Sequence, residues 1–124
     1  MADEVVVKMG VTSFPASGAL SQGAVVTVDS SGEWAAAVAG DTVWFSLEND
    51  AATGELVSGR YELIMKVLVD GSDDMGGSAV AVGDDLYVDA GELTKDATGG
   101  SAVAKALEAV SSGATALIKV LVQK

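Results

Sequence analysis

The sequence predicts an all-β fold, a small single-domain β-barrel or sandwich of about eight or nine short strands with an extended N-terminal arm. Three observations predict it. Fifteen glycines and one proline separate short apolar runs, the spacing of strands joined by tight turns. The apolar share is 49% but is mostly Ala and Val, small and β-branched side chains that suit the pleated faces of thin sheets. The run 61–69 alternates at period two, with Tyr61, Leu63, Met65, Val67 and Val69 on one face. A chain of 124 residues is one domain's worth, read as a strand and arm over 1–23 and a barrel or sandwich over 24–124.

The elements follow in order. Residues 5–7 open a first strand. Residues 10–23 are rich in Ser, Thr and Gly and read as an irregular arm. Its apolar members Val11, Phe14 and Leu20, with Pro15, are unusual for a free loop, so the arm is expected to contact a neighbour and to order there. Residues 24–29 and 33–38 read as strands around the turn 30–32, and Gly40-Asp41 turns the chain into a strand at 42–48. Residues 49–59 are polar and small, a longer loop. On the second face of 61–69, Glu62, Ile64, Lys66 and Leu68 are only half polar. Ile64, Lys66 and Leu68 are therefore expected at a subunit interface.

Beyond the acidic loop 70–77, residues 86–89 and 93–95 form a hairpin around Ala90-Gly91-Glu92. Helix formers behind Ser101 favour a helix at 101–110 by propensity. So short a helix between Gly pairs is marginal alone, and a strand is expected at 102–110. A last strand covers 115–122. The stretch 38–44 faintly repeats at 81–87, and 28–33 at 88–92; the reuse of Gly-Asp to enter a strand accounts for this.

Charge and missing residue types remove most functions. There are 18 acids against 7 bases, a net charge of −11, so the basic footprint of a nucleic-acid reader is missing and an anionic membrane would repel the chain. The sequence holds no His and no Cys. That excludes the commonest general base and thiolate chemistry, with their catalytic triads. The first residues show no signal-peptide pattern, which points to the cytoplasm as the place of synthesis.

Asp84, Asp85, Asp89 and Glu92 are the carboxylates from which a glycosidase pair would be drawn, but they read as turn and surface acids. Asp70, Asp73 and Asp74 lack the alternation and closing Glu of a calcium loop. No catalytic residue, metal or cofactor is expected, and the chain is not expected to be an enzyme. Trp34 and Trp44 read as core residues or subunit-interface anchors. Displayed with Tyr87 on a surface, they would instead make a sugar-stacking platform, the alternative of a carbohydrate-binding module from a fibre or surface protein.

The C-terminal part carries a resemblance. Ala81-Val82-Gly83-Asp84-Asp85-Leu86-Tyr87-Val88-Asp89 is followed by Leu93-Thr94-Lys95 and Ala97-Thr98-Gly99-Gly100. Next come Ala106-Leu107-Glu108-Ala109, Ser112-Gly113 and the apolar strand Leu117-Ile118-Lys119-Val120-Leu121-Val122. Over 81–122 this resembles the decoration (cement) proteins of tailed-phage capsids. It departs from their pattern in having Ala104-Lys105 where a Gly usually precedes the Ala-Leu-Glu, and in a longer 49–80 region. The resemblance implies a small β-barrel or sandwich that assembles as a homotrimer. It also implies binding to the major capsid protein on the outer capsid surface of the virion, where the protein would reinforce the shell without a cofactor or catalytic residues.

Overall fold

The computed structural model describes residues 10–38, 40–41, 43, 46–71, 79–95 and 101–123. The expected strand 5–7, Trp44 with Thr42 and Phe45 of the expected strand 42–48, the loop 72–77 and the segment 97–100 lie outside the described residues. Among those described, every regular element is a strand, in the order β1 Gly10–Pro15, β2 Val26–Val28, β3 Trp34–Ala36, β4 Leu56–Tyr61, β5 Ile64–Asp70, β6 Asp85–Asp89, β7 Glu92–Thr94, β8 Ala104–Ala106 and β9 Thr115–Val122. The all-β barrel expectation holds.

The second half of the chain closes a five-stranded barrel in the order β5-β7-β6-β8-β9, with only β5–β7 parallel. Period-two alternation sends Met65, Val67 and Val69 inward from β5, and Ile118, Val120 and Val122 inward from β9. Leu86, Val88, Leu93, Ala104 and Ala106 fill the rest of the lumen. The side chains are small because five strands enclose little space.

The first half forms two two-stranded sheets, β1–β4 and β2–β3, both antiparallel. They enclose a second core of Ala16, Ala24, Val26, Trp34, Leu47, Ala51 and Val57. Segment 24–26 is the partition between the two cores: Ala24 and Val26 point into the Trp34 core, and Val25 between them points into the barrel core. The seam is hydrogen-bonded. Val25 N–H donates to the Gly91 carbonyl at 2.8 Å, Ala37 N–H to Val25 at 3.0 Å and Gly91 N–H to Ala37 at 2.8 Å.

One turn is used again and again. In residues 21–24, 38–41, 52–55, 81–84 and 111–114 the fourth residue's N–H donates to the first residue's carbonyl at 2.9 to 3.1 Å. The third residue is always a Gly with φ between 82° and 94°, the geometry of a type II turn. Asp41, Glu55 and Asp84 each accept the N–H of their turn's first residue at 2.9 Å.

Four of these turns cross in pairs. Leu20 and Ala51 exchange backbone bonds at 2.9 and 2.8 Å, while Gly23 donates to Leu47 and Gly54 to Ala16. Val80 and Val110 do the same at 2.8 and 2.9 Å, with Gly83 donating to Ala106 and Gly113 to Gly71. Each half of the chain thus carries the same crossed pair, in a register different from the faint repeat, whose 38–41 turn lies outside both pairs.

Several elements differ from the sequence reading. Residues 10–15, expected to be irregular, form β1, paired along its whole length with β4; the partner strand supplies the order that Gly, Ser and Pro obscure. β4 also occupies the end of the expected loop 49–59. The expected strand 61–69 is two elements broken at 62–63, and Leu63 is 58% exposed rather than inward. No helix forms at 101–110. The expected strand at 102–110 shrinks to Ala104–Ala106, and Val110 then joins Val80 in the crossed turns.

Candidate interaction surface

No cluster of three or more carboxylates with the geometry of a metal site occurs among the described residues. The carboxylates singled out from the sequence are occupied in structure or stand apart. Asp84 caps its own turn, and its other neighbour is Lys95 at 3.9 Å. Asp85 pairs with Lys105 at 2.7 Å. Asp89 and Glu92 flank the β6–β7 turn. The Glu92 carboxyl titrates above its ordinary range, because partial burial and the charges of Asp70 and Asp89 all penalise the anion.

A groove of about 310 Å³ runs between the two halves, lined by Gln22, Gly23, Ser46, Leu47, Glu48, Arg60, Glu62, Met65, Lys66 and Leu117. Its polar groups largely satisfy one another. Arg60 pairs with Glu62 at 2.7 Å and with Glu48, and these contacts hold the guanidinium firmly charged. Ser46, in the left-handed region at φ 53°, donates to the Lys66 carbonyl at 2.5 Å. The charged groups that line the groove are thus engaged with one another.

The arm residues divide. Val11 is 51% exposed, and Pro15 is half-buried at the end of β1. Phe14 packs edge-on against Trp34 at 5.1 Å and 86°. Leu20 is half-buried against the second core. Phe14 and Leu20 therefore already have their apolar partners within this chain.

Trp34 is fully buried, and its Nε1–H donates to the Val57 carbonyl at 2.8 Å. This places it in the core, corrects its reading as an interface anchor, and removes it from any sugar platform. A buried indole finds its partner inside.

The β5 residues stay together on the outside. Ile64 is 52% exposed, Lys66 is exposed and Leu68 is half-buried. The ladder to β9 sets Leu121 opposite Ile64, Lys119 opposite Lys66 and Leu117 opposite Leu68, so the six side chains share one outer face. Lys119, Leu117 and Leu121 were missed in the sequence. The signal was present, because 115–122 alternates and its outward residues repeat the apolar–Lys–apolar order of β5.

With this geometry in place, the chain can be set beside known proteins. Neither a family profile nor a curated protein matches it. Among solved structures it superimposes on the head fiber gp8.5 N base of bacteriophage phi29 with a TM-score of 0.67. The match covers 93% of this chain and 94% of that one, at 15% identity. The two chains share a fold. The correspondence spans both halves of this chain, the Trp34 core as well as the barrel.

Proposed function

We propose that this chain is a structural protein of a tailed-phage virion that binds the outer surface of the capsid as a decoration protein and stabilises the shell. The observation that carries this reading is the full-length fold shared with a phage head-fibre base. The decoration-protein resemblance over 81–122 points to the same setting.

The chemistry of the chain fits. A decoration protein needs contact area and a rigid frame, not a reactive centre. This chain has neither His nor Cys, and the Arg60, Glu48 and Glu62 side chains that line its groove pair with one another. Its exposed apolar residues, among them Leu56 at 70%, Val82 at 64% and Val11 at 51%, are scattered over several elements, as contacts with several neighbours require.

The proposal includes assembly as a homotrimer with the major capsid protein as partner. Several linked contacts then reinforce one another, because the first to engage raises the effective concentration of the rest. Neither enzymatic activity nor a cofactor is part of it.

Cosedimentation with shells built from the major capsid protein of the same genome tests the proposal. The expected result is saturable binding at a fixed ratio to capsid subunits, with shells that withstand higher temperature once coated. Absence of binding at micromolar protein, with the protein folded, would refute it. The carbohydrate-binding alternative gains nothing from the structure, since Trp34 is buried and no aromatic platform is present among the described residues.

A further inference from the structure

Seven basic residues serve a chain with 18 acids, and their placement is uneven. Lys66 and Lys119 stand directly opposite each other on the β5–β9 ladder, an arrangement that costs stability because like charges face at close range. Arg60, Lys95 and Lys105 have carboxylate partners. Among the described residues, neither the Lys66 nor the Lys119 ammonium is in an ion pair. Glu48 and Glu62, which line the groove with Lys66, hold Arg60, and Glu108 accepts the Lys119 backbone N–H at 3.0 Å. On the same outer face lie exposed Ile64 and Leu117, two residues along each strand from the lysines. The face is therefore cationic and apolar on an otherwise anionic molecule.

The opposite imbalance sits at the other end of β5. Asp70 closes that strand, and Asp89 and Glu92 flank the adjoining β6–β7 turn. Asp89 and Glu92 are cross-strand partners, and Asp70 pairs with Thr94, two residues along β7 from Glu92. Lys66 and Asp70 are four residues apart on one extended strand, about 13 Å, too far for one copy to neutralise its own two clusters.

We propose that the Lys66–Lys119 face takes a second copy of this chain, docking against that copy's Asp70, Asp89 and Glu92 edge. The two patches differ, so the contact is head-to-tail and builds a ring when the rotation closes. Charge complementarity argues for this occupant. Copies bearing −11 each repel one another in general, and association needs cations placed where they meet. Both like-charge clusters are relieved in the same step, and the leucines and Ile64 supply the apolar area between them. The inference rests on the proposed self-assembly and names its contact.

The test measures solution mass by sedimentation equilibrium at ~0.15 M and ~1 M salt, where screening lengths are about 8 and 3 Å. It compares the wild-type protein, K66E/K119E, D89K/E92K and an equimolar mixture of the two variants, with thermal melts to establish that each is folded. The wild type is expected to associate, and more weakly at high salt. Each variant alone should associate at least about tenfold more weakly, and the mixture should recover association. Should K66E/K119E keep wild-type mass, or the wild type remain monomeric throughout, the contact is wrong. Shell cosedimentation of the same variants is read separately. A variant that loses self-association but still saturates shells leaves the decoration reading standing, and one that self-associates but ignores shells removes that reading alone.

Discussion

The two halves of the molecule solve the same problem with different cores. Each holds a crossed pair of type II turns, Leu20 with Ala51 in the first and Val80 with Val110 in the second. In the second half the strands close into a barrel, and small aliphatic side chains fill it. In the first half the strands stay as two open pairs, and one large side chain, Trp34, with Phe14 set against its edge, fills the space that closure would otherwise remove. The conserved part of the plan is thus the turn crossing, held by backbone bonds. Core composition follows from whether the sheet closes.

That comparison can be broken most severely at Trp34. Trp34→Ala removes the largest buried side chain of the first half and is expected to cost about 3–5 kcal/mol, read by urea denaturation. Because segment 24–26 faces both cores, the loss should appear in one cooperative transition. A separate early transition of the first half would show that the halves are independent.

Next in size is the seam. Gly91 has φ 87°, and a Cβ there would meet Ala36 Cβ at 3.1 Å. Gly91→Ala therefore adds backbone strain to crowding at the contact between halves, with an expected cost of about 1–3 kcal/mol. Ala90, beside it, has φ 48° without being a glycine. Together they make the two-residue hairpin turn, in which both central residues have positive φ. Ala90→Gly should stabilise by about 0.5–1 kcal/mol, and an unchanged melting temperature would contradict the turn assignment.

The smallest effect concerns Glu92. Its folded-state pKa is raised above 4.5 by burial and by Asp70 and Asp89. The folded state therefore keeps a proton that the unfolded chain has already lost. The stabilising contribution is complete below about 4.5 and declines as pH rises from there through the raised value. Glu92→Gln should flatten that decline, raising stability at neutral pH relative to the wild type. Parallel stability–pH curves for the two proteins would show that Glu92 is not crowded.

How much of this was legible in the sequence follows from local signal. The strand 115–122 is found residue for residue, because a nearly continuous apolar run is bounded by Ser111-Ser112-Gly113. The hairpin at 85–95 is found to within a residue, because a Gly turn sits between Leu86-Tyr87-Val88 and Leu93-Thr94. By contrast β1 was hidden. Gly10, Ser13 and Pro15 resemble loop residues, and their order comes from β4, which lies more than forty residues away. Trp34 could be read as core or as surface, since the indole suits both; the bond to Val57, distant in sequence, decides. The Lys66–Lys119 opposition needs the β5–β9 register, which no single strand announces. Sequence gave half of that face through Ile64, Lys66 and Leu68.

The central claim is that outward faces on a rigid two-core frame, rather than any reactive centre, do the work of this chain. Imaging capsids of the proposed kind, with this protein bound to them, by electron cryo-microscopy tests that claim most directly. The account predicts density on the outer capsid surface, at regular lattice positions, into which this fold fits as a whole. Capsids whose exterior carries no such density, in a preparation that contains the protein, would contradict it.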